Sequence, residues 1–330
     1  MQRVERDVLV RKAVSLIDYG VCDRVLAWKA GEFSYDVEPH VFTDTEKIKN
    51  ELVWNDFCGA NFSKYLISET QKTEKKVLVF LKPCDSYSFN ELLTEHRFDR
   101  EKVYAVAIPC EGMADIKKIK EKVGGVASVR SSGEKIIVST LFDGDVEFDK
   151  MQVLSERCLV CKSKNHVAYD EIVSTGGEGP VFDRFGGVEM LEGMTPDERY
   201  EFWQGELSRC IRCNACRDVC PACTCEKCVF TNSASGVENK AAENSFEEKM
   251  FHIIRAFHVA GRCTDCGECS RVCPQSIPLH LLNRKFIKDI NTLYGDYQAG
   301  ETVGQRSPLV DYTVEDVEPG EVFERSGGNA

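Results

Sequence analysis

The sequence predicts an α/β N-terminal domain with a parallel sheet, followed by an α-helical domain organised by cysteines. Three observations predict it. Two continuous apolar runs, Lys76–Leu81 and Val103–Ile108, each stop at a Pro-Cys pair and lead into a helical pattern. Seventeen cysteines fall largely in C-x-x-C units within 330 residues. Two helical segments each run directly into four cysteines and a proline.

The bulk properties set the frame. A chain of this length holds two cores. Its 42% hydrophobic and 29% charged residues are ordinary for a water-soluble protein. No apolar stretch approaches the ~20 residues of a membrane helix. Met1–Asp7 lacks the apolar core of a secretory signal. A formal charge of −12 without a basic tract argues against nucleic acid as a partner. The expectation is a cytoplasmic protein. In that setting, an odd number of clustered cysteines points to metal ligation rather than a disulfide framework.

Taken in order, residues 1–190 read as the first domain. A polar amphipathic helix from Val4 to about Tyr19 precedes the β-like run Arg24–Lys29. Thr43 or Thr45 can cap a helix through Val53, and a second helical pattern spans about Asn61–Gln71, with Cys58 at the break. Lys76–Leu81 and Val103–Ile108 are strands buried on both faces, each followed by a helix, in the βαβ alternation of a parallel sheet. Cys84 and Cys110 therefore lie just past the carboxyl ends of neighbouring strands, where such sheets place ligands. Lys135–Leu141 is a third strand candidate. Cys158-x-x-Cys161 and two glycine clusters, Gly176–Gly179 and Gly186–Gly187, close the domain in loops.

Residues 191–298 read as the second domain. Thr195-Pro-Asp-Glu198 is a capping box with proline at the first helical position. Its helix carries Tyr200, Trp203 and Leu207 into Cys210. Ser245-Phe-Glu-Glu248 repeats the device, and its helix leads to Cys263. One more helix is expected from Pro278 to about Tyr294. Residues 299–330 lose apolar periodicity and are expected to form a flexible tail or a partner-binding arm.

Arg209–Pro221 and Arg262–Pro274 are two copies of C-x2-C-x2-C-x3-C-P, the spacing of bacterial cluster-binding ferredoxins. Three cysteines at three-residue intervals wrap three corners of an iron–sulfur cube. The fourth, before proline, leaves the loop and ligates the other cube. One 4Fe–4S cluster is thus assigned to Cys210, Cys213, Cys216 and Cys273, the other to Cys263, Cys266, Cys269 and Cys220. Zinc also accepts four thiolates, but as paired C-x2-C knuckles rather than a triplet plus Cys-Pro. Cys84, Cys110, Cys158 and Cys161 could converge on a third cluster, or the first two could be small buried hydrophobes. Cys223, Cys225 and Cys228 form a dense loop that suggests a further metal, with Cys58 as its fourth ligand. Cys22 reads as a buried thiol. The histidines give no metal pattern; His252 and His258 are helical positions near a cluster that could tune its potential, but ordinary helix residues is the preferred reading. No Ser/His/Asp constellation, phosphate loop or paired carboxylates supply a catalytic group.

Lys82-Pro-Cys84-Asp85, Ile108-Pro-Cys110 and Cys158-x-x-Cys161 with Tyr169-Asp170 together resemble the coenzyme F420 hydrogenase and dehydrogenase beta-subunit family, over residues 20–190. The resemblance implies that these four cysteines hold a cubane cluster next to a flavin. Here, unlike in that family, the ferredoxin-like module follows the domain instead of being inserted near its start. The second half resembles the α-helical iron–sulfur subunit of heterodisulfide-reductase-type complexes, without the Cys-Cys-Gly repeats of their disulfide-cleaving subunit. Together these imply an electron-relay subunit of an anaerobic, multisubunit oxidoreductase with other redox subunits as partners. The rival reading is a flavoprotein, with FAD at the glycine-rich loops, that itself reduces or oxidises a deazaflavin or nicotinamide carrier. A zinc-stabilised scaffold is the non-redox alternative.

Overall fold

The computed structural model describes residues 4–162, 165–174, 183–232 and 245–310, with side chains from residue 249 in the last stretch. The chain divides into two compact units, Met1–Phe89 with His96–Phe182, and Asn90–Glu95 with Asp183–Ala330.

The first unit is built on a six-stranded sheet. Its strands are β1 (Cys22–Ala30), β2 (Val37–Phe42), β3 (Leu52–Val53), β4 (Lys76–Leu81), β5 (Val103–Ala107) and, as the sixth, a short strand at Glu171–Ile172. β1, β4, β5 and the short strand run parallel, while β2 and β3 pair antiparallel with β1. Val77 to Leu81 are all buried, which is why β4 reads as an unbroken apolar run rather than an alternation. Around this sheet lie α1 (Arg6–Asp18), α2 (Thr45–Glu51), α3 (Leu66–Glu69) and α4 (Pro83–Thr94). The cap of α2 is Asp44, not a threonine: its carboxylate accepts from the backbone N–H of Glu46 (2.7 Å) and Lys47 (3.2 Å). The helix expected over Asn61–Gln71 is instead α3 between two 3₁₀ turns, Ser63–Tyr65 and Thr70–Lys72.

Lys135–Leu141 is a strand, but not of the parallel sheet. β6 (Val126–Ser132), β7 (Lys135–Thr140) and β8 (Asp145–Asp149) make a separate antiparallel sheet. Only Gly133 and Glu134 join β6 to β7, and a two-residue connection permits only a hairpin. Its buried face, Val126, Val129, Ile136 and Val138, closes over Ile119 of α5 (Ile116–Lys122) and Val153 of α6 (Lys150–Val153). The place in the parallel sheet belongs to β9 (Glu171–Ile172), after α7 (Glu156–Leu159). The Asp170 carboxylate accepts from Ala105 N–H and from Arg100, both at 2.7 Å.

The second unit is helical: α8 (Gly186–Glu192), α9 (Pro196–Ser208), α10 (Ala215–Asp218), α11 (Ser245–Val259), α12 (Glu268–Arg271) and α13 (Leu279–Tyr294). The Thr195–Glu198 capping box of α9 is formed in both directions. The main segment of this unit begins at residue 183 rather than 191, because α8 is held by α13. Lys288 reaches Glu189 (3.1 Å) and Glu192 (2.5 Å), and Leu281 packs against Gly187. Gly186–Gly187 therefore start a helix instead of lining a loop, while Gly176–Gly179 lie outside the described residues. The expected tail is anchored at Ala299 and Ser307, while residues 301–306 are exposed. Tyr297 and Ala299 are buried, Tyr297 Oη donates to Gly261 O (2.8 Å), and Ser307 sits against Gly261. Residues 311–330 lie outside the described residues. Among the described residues, no helix is long and apolar enough to cross a membrane.

Glu91, at the end of α4 counted with the second unit, is buried at 4% exposure. Burial, then the nearby Glu95 carboxylate, raises its pKa to about 7. The folded state thus keeps a proton that the unfolded chain releases above its usual range, so stability falls as pH rises through 7. Glu91→Gln should be more stable than the parent at pH 8, by up to about 3 kcal/mol, and nearly equal to it near pH 5. Chemical denaturation at the two pH values checks this, and a pH-independent difference would contradict it.

Candidate metal centres

In the second unit, each helix–cysteine segment repeats one backbone. α9 ends at Ser208 with Arg209 as its C-cap, and Cys210 N–H still bonds to Leu207 O (3.0 Å). The chain then takes left-handed conformations at Arg212 (φ 54°) and Asn214 (φ 62°) before α10. The second copy does so at Asp265 (φ 54°) and Gly267 (φ 68°) before α12. These are equivalent positions, two and four residues after the first cysteine. Asn and Gly at the second of them tolerate that conformation best. The reversal turns backbone N–H groups onto the thiols. Arg212 N–H lies 3.4 Å from Cys210 Sγ, and the backbone of Asp265, Glu268 and Ser270 hydrogen-bonds Cys263, Cys266 and Cys269.

The two segments exchange a cysteine. One recess is lined by Cys210, Cys213, Cys216 and Cys273, the first three from one copy and the fourth from the other. Burial raises the Cys216 thiol, and the Cys210, Cys273 and Cys213 groups around it add to that. Cys220 in turn stands beside Cys263, Cys266 and Cys269. Burial pushes Cys263 up to about 12 and Cys269 up to about 11, with Cys220 contributing in both cases. Protonated thiols must lose their protons to bind iron, so loading of these cages releases protons and is favoured by higher pH. The residues fit a pair of cubanes chemically: eight thiols, backbone donors aimed at sulfur, and an apolar surround of Leu207, Ile277 and Leu279.

Long-range contacts hold the second cage in place. Asp265, at its left-handed turn, accepts from Arg284 of α13 at 3.1 and 3.0 Å and from Arg184 at 2.8 Å. Arg271 grips the buried Glu268 through two 2.8 Å bonds. Asn283 Nδ2 lies 3.7 Å from Cys269 Sγ. Sequence reading missed these residues. Their signal in α13 is the group of polar residues His280, Asn283 and Arg284 on its buried face.

Three chain segments meet at the carboxyl edge of the parallel sheet. Cys84 lies in the first turn of α4, directly after β4, rather than in a turn before it. Its thiol is raised by burial and then by Asp85, with Cys161 also near. Cys110 follows β5, and Gly112 N–H lies 3.4 Å from its Sγ. Met113 N–H lies 3.3 Å from Cys158 Sγ, because residues 113–115 pair with Val153–Ser155. Gly112 has φ +105°, and a Cβ there would stand 3.3 Å from Cys158 Cβ. Only glycine allows that approach without strain. The segment after Cys161 crosses the strand ends, with His166 Nε2 2.9 Å from Leu81 O and Val167 N–H donating to Ser86 Oγ at 3.1 Å.

A buried cation stands beside these thiols. Lys82 Nζ bonds Asp85 (2.7 Å) and Ala60 O (2.8 Å), 4.7 Å from the Trp28 ring centroid. Cys58 is fully buried in its own turn, its Sγ 3.2 Å from Asn55 N–H, with its pKa raised to about 12 by burial; Lys82 and Cys110 are among its neighbours. Cys22 is also buried, and its thiol is likewise raised to about 12 by burial. The Cys223–Cys228 loop gives its thiols different neighbours. Cys223 lies near Arg255, Cys225 near Arg262, and Arg217 hydrogen-bonds Cys228. Among the described residues, no group of three or more His, Cys, Asp or Glu side chains could hold a single metal ion. Thiolates around a cube stand further apart than the roughly 3.8 Å implied by tetrahedral zinc–sulfur bonds.

This architecture, an α/β unit joined to a helical unit with twin cysteine segments, defines an iron–sulfur protein with a dicluster module. Residues 206–277 match the 4Fe–4S dicluster domain family. The chain is homologous to F420-dependent formate dehydrogenase beta subunits. It is 25% identical to the one from Methanocaldococcus jannaschii, across 84% of this chain and 88% of that protein. It is also 25% identical to the F420-dependent formate dehydrogenase 1 subunit beta of Methanococcus maripaludis, across 89% of this chain and 92% of that protein. A chain of the F420-reducing [NiFe] hydrogenase complex from Methanosarcina barkeri aligns at 14% identity and TM-score 0.37, over 62% of this chain and 86% of that one.

Proposed function

We propose that this chain is the iron–sulfur relay subunit of an anaerobic, cytoplasmic, multisubunit oxidoreductase of the F420-dependent formate dehydrogenase kind. The observation that carries it is the distribution of cysteines: eight in exchanged pairs in the helical unit, and four at the sheet edge of the α/β unit. Bound iron–sulfur clusters supply one-electron transfer. This chain's residues hold them through thiolates, exclude water with apolar side chains and orient backbone donors toward sulfur. The partners are other redox subunits, one of them catalytic, with neither nucleic acid nor membrane insertion in the reading. A further metal held by Cys223, Cys225 and Cys228, with Cys58 as its fourth ligand, is a separate proposal, which iron beyond about twelve per chain would support.

Protein purified and reconstituted anaerobically should carry about twelve irons and as many sulfides, with the visible absorption and reduced-state EPR of cubane clusters. Fewer than about eight irons would sink the proposal. Copurification of a catalytic subunit would name the reaction.

The flavoprotein reading draws support from the relatives, which are F420-dependent. If this chain shares that dependence, a hydride carrier must meet one-electron clusters, and a flavin is the group that splits the pair. Acid extraction of FAD from the reconstituted protein would favour it, and a flavin-free protein would leave the chain a pure relay.

A further inference from the structure

Two buried polar groups on α11 stand unexplained by packing. His252 is 3% exposed, lines the recess of Cys210, Cys213, Cys216 and Cys273, and has no hydrogen-bond partner at Nε2. Arg255, three residues on and so on the same helical face, is also 3% exposed. Its Nη2 donates to Cys216 O at 3.2 Å, while its Nε has no partner. Thiols of both cages interact with its charge, Cys220 and Cys269 from one and Cys216 from the other, together with Cys223 of the neighbouring loop. A buried donor without an acceptor costs about 1–3 kcal/mol, and more for a charged group. The third buried polar side chain of α11, Lys249, lies over the Tyr200 ring, so the two donors left over imply an acceptor that belongs there. Cluster sulfides and thiolates are acceptors of the right kind.

The two donors differ in reach. His252 lines the recess of one cage. Arg255 is ionised at any relevant pH and stands between the cages.

We propose that α11 sets the reduction potentials of the paired clusters. In this assignment His252 Nε2–H donates to the cluster of Cys210, Cys213, Cys216 and Cys273, and Arg255 is a fixed positive charge shared with the cluster of Cys220, Cys263, Cys266 and Cys269. This rests on the two-cluster reading of the twin segments. Reduction adds one negative charge to a cluster, and a donor or cation beside it favours that state. His252 therefore raises one potential relative to the other, while Arg255 raises both. These are positioning and tuning residues, not catalytic ones.

EPR-monitored redox titration of the full chain, reconstituted anaerobically and matched for iron content, tests this. His252→Leu should shift one midpoint to more negative potential and leave the other in place. Arg255→Met should shift both in that direction, while His252→Gln and Arg255→Lys, which keep the donor and the charge, should stay near the parent. If Arg255→Met loses iron but Arg255→Lys keeps it, the charge is needed to assemble the pair, which supports the same role. Unmoved midpoints at parental iron content would overturn the inference. So would Gln and Lys variants that shift, or lose iron, as much as Leu and Met. A parent chain with fewer than about eight irons would instead overturn the cluster reading beneath it.

Discussion

Cys273→Ser should empty the cage formed by Cys210, Cys213 and Cys216, not the one formed by its neighbours Cys263, Cys266 and Cys269. The four cysteines that line the first recess include Cys273, whereas Cys220 stands with the second set. A cubane that loses one thiolate corner is poorly held, so the expected loss is about four irons per chain. The informative comparison is between double variants. Cys216→Ser with Cys273→Ser should lose no more iron than either alone, because both act on one cluster. Cys263→Ser with Cys273→Ser should lose about eight, because each acts on a different one. Iron analysis after anaerobic reconstitution reads the outcome. The opposite pattern would mean that each segment ligates its own cluster.

Replacing Lys82 by Met should destabilise the first unit by about 3–5 kcal/mol, because it leaves the Asp85 carboxylate buried without its counter-charge. Both side chains are 1% exposed, and the ammonium also satisfies Ala60 O and lies over Trp28. The pair itself need not be strongly stabilising, since desolvation of two ions offsets most of their attraction. Lys82→Met with Asp85→Leu should therefore recover most of the loss. Urea unfolding followed by tryptophan fluorescence compares the three proteins, and a double variant as unstable as Lys82→Met would argue that the lysine acts through packing alone.

The candidate sites were unequally legible in the sequence. Ligand spacing around a cube is a local property of the chain: a tight loop with left-handed residues at fixed positions presents thiols every three residues. Arg209–Pro221 and Arg262–Pro274 therefore carry their chemistry openly. The same holds for the Thr195 capping box and for β4, whose burial on both faces leaves an unbroken apolar run. Cys84, Cys110, Cys158 and Cys161 were half legible. Strand ends could be predicted, but the pairing of residues 113–115 with 153–155 that brings Cys158 to the loop after Cys110 joins residues about forty positions apart. Lys135–Leu141 reads as a strand in any sheet, and only its two-residue hairpin assigns it to the antiparallel one. Residues 299–310 look featureless in sequence because few apolar anchors, Tyr297 and Ala299 among them, suffice to dock them.

By itself, then, the sequence determined the class of chemistry: cysteine spacing, strand-end placement and helix caps depend on neighbours a few residues away. The tertiary structure decided how Cys158 comes to the loop after Cys110, where the helical unit begins, and that His252 Nε2 and Arg255 Nε are enclosed without an acceptor. Those outcomes depend on burial and on partners far along the chain. A histidine on a helix acquires its meaning only when the fold encloses its Nε2 without an acceptor, and no spacing of residues records that.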